Sequence, residues 1–158
     1  MSVLLDTNIL TRSAQPGHPM HKAAVDAVDI LRTRGEQLYD VPQNMVEFWA
    51  VATRPSSVNG LGMTPTQAQA ELVRIKNLFR LLPDTPAIYD EWETLVSRHQ
   101  VSGRNTHDAR IVAAMNVHAI NSILTFNGDD FKRYSAINVV SPADASLIDA
   151  ERESPAED

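Results

Sequence analysis

The chain has 158 residues, 43% of them hydrophobic, which suits one domain with a single core of useful size. It has no cysteine, which excludes disulfides, thiolate metal ligands and a cysteine nucleophile and leads us to expect a reducing, cytoplasmic setting. A net charge of −6 argues against a protein that grips nucleic acid with a broad basic surface, but residues 149–158 hold five acids and one Arg, so residues 1–148 carry thirteen Lys/Arg against fifteen Asp/Glu and are nearly neutral.

The start lacks a basic leader and meets Asp6 after three apolar residues, so neither a signal peptide nor a membrane span is expected there, and no later segment is apolar for long enough. Val3-Leu4-Leu5 reads as a first strand ending at Asp6, with Asp6-Thr7-Asn8 as a turn cluster. Ala24, Val28 and Leu31 have helical spacing and end at Gly35. Leu38 to Pro42 reads as a second strand. Asn44 to Glu47 then has the spacing of a capping box, ahead of an apolar face on a helix over about 44–53.

Arg54 to Met63, with its Pro, Ser and Gly, is a loop by composition. Thr64-Pro65-Thr66-Gln67 combines an N-cap, Pro at the first helical position and Gln three residues on, before Ala68, Leu72, Ile75 and Phe79. Leu81-Leu82-Pro83 reads as a short strand, and Thr85-Pro86 opens a helix bearing Ile88, Trp92 and Leu95, with Gly103 closing the unit. Asn105 or Thr106 can cap the next helix, followed by a strand at Ser122 to Thr125, a turn at Asn127 to Asp130 and a last strand at Ile137 to Val140. The division expected is one domain over 1–148 and an acidic tail over 149–158 without packed structure.

Alternating strands and helices imply an α/β fold with a mostly parallel sheet, whose ligands bind outside the carboxyl ends of the strands. Asp6, Glu47 and Asp108 fall at such places, with Asp130 or the neutral Asn127 as a fourth member. Carboxylates packed together repel one another and raise their own pKa values unless a cation compensates. Hard oxygen ligands select Mg²⁺ or Mn²⁺, which bind phosphate oxygens and lower the pKa of an attacking water, the chemistry of phosphodiester hydrolysis. The plainer alternative is that acids in a first helical turn serve capping and the helix dipole, a role Glu47 fits well.

Taken together, Leu5-Asp6-Thr7-Asn8-Ile9-Leu10, Val46-Glu47-Phe48-Trp49, Thr106-His107-Asp108-Ala109-Arg110-Ile111 and Thr125-Phe126-Asn127-Gly128-Asp129-Asp130-Phe131 resemble, in order and spacing, the four motifs of the PIN-domain nucleases, particularly the VapC-type ribonuclease toxins. The resemblance implies a Rossmann-like α/β/α sandwich, endonucleolytic cutting of RNA with Mg²⁺ or Mn²⁺, dimerisation and a small antitoxin partner. It places Asp6 and Asp108 on the metal and makes Glu47 the acid that completes the site or positions the water. The sequence departs from the family at Asn127, where many relatives carry Asp; either Asp130 fills that place or three acids suffice.

Thr7 and Asn8 can orient Asp6 or simply form a turn. The five His show no metal-type spacing, which disfavours zinc and leaves His107 a surface neighbour. Arg12, Arg54, Arg104, Arg110, Lys132 and Arg133 fall near expected site edges, where they either meet phosphate or are solvated surface. Trp49 and Trp92 read as core. Two other functions compete: a non-catalytic PIN-like module that binds RNA or protein, which Asn127 keeps open, and a phosphoacceptor receiver, which lacks its adjacent acidic pair and late Lys.

Overall fold

The computed structural model describes the backbone of residues 1–153 and the side-chain surroundings of residues 1–147. Five strands form one sheet, β1 (Ser2–Leu5), β2 (Gln37–Asp40), β3 (Arg80–Leu81), β4 (Ser122–Leu124) and β5 (Asn138–Val140), in the order β3-β2-β1-β4-β5. All four pairings are parallel, with Val3 opposite Leu38 on one side and Ser122 on the other. The sheet is thus wholly, rather than mostly, parallel.

Parallel strands must be covered on both faces. In β1 the side chains alternate accordingly: Val3 and Leu5 enter one core and Leu4 the other. The first core lies under α1 (Thr7–Ser13), α2 (His21–Thr33), α3 (Pro42–Thr53) and α4 (Pro65–Leu78). The second lies under α5 (Pro86–Arg98) and α6 (Asn105–Val117), the latter buried nearly all round. The result is an α/β/α sandwich. No helix among the described residues is long and apolar enough to cross a membrane.

Three local expectations need correction. The Asp6-Thr7-Asn8 cluster is not a turn but the start of a helix: Asp6 is the N-cap of α1, and buried Ile9, Leu10 and Thr11 hold that short helix by tertiary packing. Pro42 does not end β2 but opens α3 at its first position, where its missing N–H costs nothing. The Asn44 side chain accepts the Val41 N–H at 3.0 Å, so the cap is completed one turn earlier than Glu47, which stands in the second turn. Capping therefore does not explain Glu47.

The C-terminal segment after β5 begins as a helix. A helix α7 runs from Pro142 to Glu153, with Ala145 in the first core, so Asp149 to Glu153 are helical backbone. The Ser141 hydroxyl accepts the Asp144 N–H at 3.0 Å and the Asp144 carboxylate accepts the Ser141 N–H at 3.1 Å, a reciprocal cap. The rest of the acidic tail, 154–158, lies outside the described residues.

The loop between α3 and α4 is tied back to the end of α3. Leu61, Met63 and Gly62 donate to Val51, Ala52 and Arg54 at 3.1, 2.8 and 2.9 Å, and Gly60 donates to Pro55 at 3.0 Å. The bonds to Val51 and Ala52 satisfy carbonyls that the helix end leaves unpaired. A Cβ on Gly60 would stand 1.9 Å from the Arg54 carbonyl oxygen. Because the obstacle is backbone, Gly60→Ala is expected to cost about 1–3 kcal/mol, read as a lower urea midpoint; an unchanged midpoint would show that the loop yields freely.

Asp40 ends β2 fully buried, and among the described residues neither of its carboxylate oxygens has a hydrogen-bond partner. Burial pushes its pKa up to about 7. It is a core acid that the sequence reading passed over.

Candidate active site

The strand order switches direction at β1, whose neighbours are β2 on one side and β4 on the other, and a crevice opens at the carboxyl ends there. Asp6 sits at that point, leaving β1 and capping α1, with 8% of its surface exposed. Its Oδ1 accepts the Thr7 N–H at 2.8 Å, and its Oδ2 accepts the Thr125 hydroxyl at 2.7 Å and the Asn8 amide at 3.3 Å. Burial pushes the Asp6 pKa up to about 6; the bonds from Thr125 and Thr7 oppose the rise, while the charges of Glu47 and Asp130 add to it.

Thr125, at the end of β4, is the hub that ties the second half of the sheet to Asp6. Besides donating to Asp6, its oxygen accepts the Asn127 N–H at 3.0 Å and the Asn8 amide at 3.1 Å. Asn8 in turn accepts the Phe126 N–H at 3.2 Å. Both Thr7 and Asn8 therefore hydrogen-bond within the site rather than in a turn of their own. Thr125→Val keeps the shape and deletes the hydroxyl, leaving Asp6 Oδ2 with only its longer bond from Asn8 and the Asn127 N–H without its partner, so a loss of about 1–3 kcal/mol is expected in thermal melts. A melting temperature equal to that of the unmodified protein would refute the hub.

Glu47 reaches the same crevice from α3. Its two oxygens accept the Thr7 hydroxyl at 2.7 Å and the Gln43 amide at 2.8 Å. Gln43 also donates to the His107 carbonyl at 2.9 Å and accepts from Arg110 at 3.2 Å, linking α3 to the start of α6. Asn44 donates to the Thr7 hydroxyl oxygen at 3.2 Å. Gln43 is a supporting residue whose only sequence signal is its spacing of four from Glu47 on one helix face, and Asn44, expected there as a helix cap, also supports Thr7.

Asp108 lies half-buried in the first turn of α6. Its pKa is pushed up to about 6 by burial first, then by the charges of Asp130, Asp6 and Glu47, with His107 pulling weakly the other way. Asp130 belongs to the 3-10 turn Gly128–Phe131, directly after Asn127. Asp6, Glu47, Asp108, Asn127 and Asp130 all line one cleft, so the five residues expected from the sequence are brought together. Asn127 and Asp130 both face it.

Of the basic residues, Arg12 lines this cleft and Arg104 its extension past Asp108. Arg110 is engaged by Gln43 and by Asp84 at 3.4 Å, and Lys132 pairs with Asp129. Trp92 donates its indole N–H to the Thr106 carbonyl at 2.9 Å and Trp49 packs on the first core, so both are structural. His107 is exposed.

Among the described residues no three His, Cys, Asp or Glu are gathered closely enough to form a metal cage. A cage is not what Mg²⁺ requires: it keeps several waters and is held by one or two carboxylates. An all-oxygen set in which burial first, and neighbouring carboxylates after it, raises the pKa of Asp6 and Asp108 suits such an ion.

No curated protein matches the chain. Among solved structures, VapBC2 from Rickettsia felis bound to a DNA fragment from its promoter is similar over 89% of this chain and 98% of the other, with a TM-score of 0.67 at 13% identity. The sarcin-ricin loop cleaving toxin VapC20 of Mycobacterium tuberculosis is similar over 81% and 92%, with a TM-score of 0.62 at 18% identity. FitAcB from Neisseria gonorrhoeae is similar over 89% and 98%, with a TM-score of 0.61 at 21% identity. At such identities the likeness speaks for the fold. The sequence itself speaks for the family: the PIN domain profile matches residues 3–137, a span that begins in β1 and includes every acid lining the cleft, and the chain belongs to the PIN-domain family.

Proposed function

We propose that this protein is a divalent-metal-dependent endoribonuclease and the toxin of a toxin–antitoxin pair, acting on RNA in the cytoplasm. The observation that carries the proposal is the convergence of Asp6, Glu47, Asp108 and Asp130 on one cleft at the strand ends. Asp6 and Asp108 would hold Mg²⁺ or Mn²⁺, which when bound supplies a more acidic water and neutralises charge on phosphate oxygens. Thr125, Asn8 and the Thr7 N–H orient Asp6, and Gln43 and Thr7 orient Glu47 toward the same space. Glu47, through its half-exposed carboxylate, positions the attacking water, and Asn127 or Asp130 completes the polar wall.

Complexes such as VapBC2 among the similar structures support an antitoxin partner. The exposed apolar groove formed by Met45, Val46, Trp49 and Leu72 between α3 and α4 offers it a surface. Exposed Tyr89 leaves apolar area for a homodimer.

The test is incubation of purified protein with a varied panel of single-stranded RNAs, with and without Mg²⁺ or Mn²⁺, together with thermal melts over a metal titration. Metal-dependent cleavage is expected, and a melting temperature that climbs with free Mn²⁺ because only the folded state binds it. A flat melting temperature with no cleavage would favour the second reading, a non-catalytic PIN module, which Asn127 supports.

A further inference from the structure

Asn59 lines the acidic cleft together with its carboxylates. It follows the 3-10 turn Ser56–Val58 and adopts the left-handed conformation, with φ 63° and ψ 30°. Asn enters that region more readily than most residues, and a branched side chain there would be strained. The loop that carries it is fixed from behind: Gly60 passes so close to Arg54 that no side chain fits and bonds to Pro55 within the loop, while Leu61, Gly62 and Met63 bond back to the end of α3. The tip is therefore rigid with respect to α3, the helix that places Glu47. Asn59 is an exposed residue.

We infer that Asn59 is a recognition residue, whose amide hydrogen-bonds the edge of the nucleobase adjoining the scissile phosphate of single-stranded RNA. This rests on the ribonuclease reading of the cleft. A primary amide sets a donor beside an acceptor and pairs with the donor–acceptor edge of an unstacked base. Being neutral, it adds no negative charge to a wall already rich in carboxylates. A rigid mount is also what recognition needs, since a mobile loop would spend the gain on being ordered.

The experiment compares wild type with Asn59→Gly, which keeps the left-handed backbone accessible while deleting the amide. Oligonucleotides sharing one cut site, with each flanking base varied in turn, are cleaved under Mn²⁺. Wild type is expected to prefer one base at one flanking position by about 5- to 100-fold, the worth of a bidentate pair. Asn59→Gly should flatten that preference and raise KM more than it lowers kcat, with the Mn²⁺-induced rise in melting temperature unchanged. Asn59→Asp should flatten it as well. A preference preserved in Asn59→Gly overturns the inference, as does a loss matched by a weakened response to Mn²⁺, which would mark a structural role. A preference that vanishes when the neighbouring ribose, rather than the base, is changed to deoxyribose would assign the amide to the sugar and overturn base reading. Should wild type cut nothing, binding of labelled RNA in Ca²⁺ separates the two ideas. Base-dependent affinity lost in Asn59→Gly would uphold recognition while the nuclease reading falls, and equal affinities, or no binding by wild type, would sink recognition.

Discussion

Asp6→Asn and Asp108→Asn are each expected to lower RNA cleavage by roughly two powers of ten or more while leaving the protein folded. Each of these carboxylates would help hold the divalent ion, whose charge would stabilise the transition state by several kcal/mol, and each 1.4 kcal/mol is about tenfold in rate. The fold should survive because Asn keeps the acceptor that takes the Thr7 N–H at 2.8 Å, and an amide at position 6 can instead donate to the Thr125 oxygen. Removing a negative charge also relieves the repulsion from Glu47 and Asp130 that helps raise the Asp6 pKa. Melting temperatures of the metal-free variants should therefore equal or exceed wild type, and the Mn²⁺-induced rise should shrink. Full turnover in both variants, with intact folding, would remove them from the site.

The layer architecture was readable because its signals are local. The Thr64-Pro65-Thr66-Gln67 start of α4 behaves as its sequence says, with Thr64 accepting the Gln67 N–H at 3.2 Å and Gln67 accepting the Thr64 N–H at 2.9 Å. The start of α1 was not readable in the same way. Asp6-Thr7-Asn8 is equally good turn chemistry, and the helix wins only because Ile9 and Leu10 find the core and Asn8 finds Thr125 across 117 positions of sequence. The α7 cap at Ser141 and Asp144 was legible by the rule that identified α4, but the acidic composition beyond it masked the signal.

The candidate site divides along the same line. Spacing relative to strand ends located Asp6, Glu47, Asp108, Asn127 and Asp130, since parallel topology delivers those positions to one edge. What spacing cannot deliver is the mutual support: Gln43 gripping Glu47 while touching the His107 carbonyl, or Asn59 arriving at the cleft on a loop whose course depends on Gly60 clearing Arg54. These depend on where two elements distant in sequence come to rest. Asp40 is the clearest case, because a lone acid in a short strand gives no sign from sequence that both its oxygens will be buried without a partner among the described residues.

Asp40, Asp6 and Asp108 together should make the metal-free protein lose stability as pH rises from about 4 to about 7. Their ordinary pKa is 3.8, whereas in the folded protein burial first of all lifts Asp40 to about 7 and Asp6 and Asp108 to about 6. An acid with the higher pKa in the folded state binds more protons there than when unfolded, so stability is full below about pH 4 and drains away until the folded pKa is passed. The combined loss is of the order of a few kcal/mol, with Asp40 and Asp6 supplying most of it, since the half-exposed Asp108 is screened by water. Urea melts across this range should show the midpoint falling. Asp40→Asn should shrink the slope at the neutral end without altering the response to Mn²⁺, because Asp40 is not among the residues lining the cleft. Saturating Mn²⁺ should act on the other part: it favours ionised Asp6 and Asp108, so their share of the slope should flatten or reverse while that of Asp40 persists. A midpoint independent of pH in the metal-free protein would mean that these three acids are solvated in ways their burial denies.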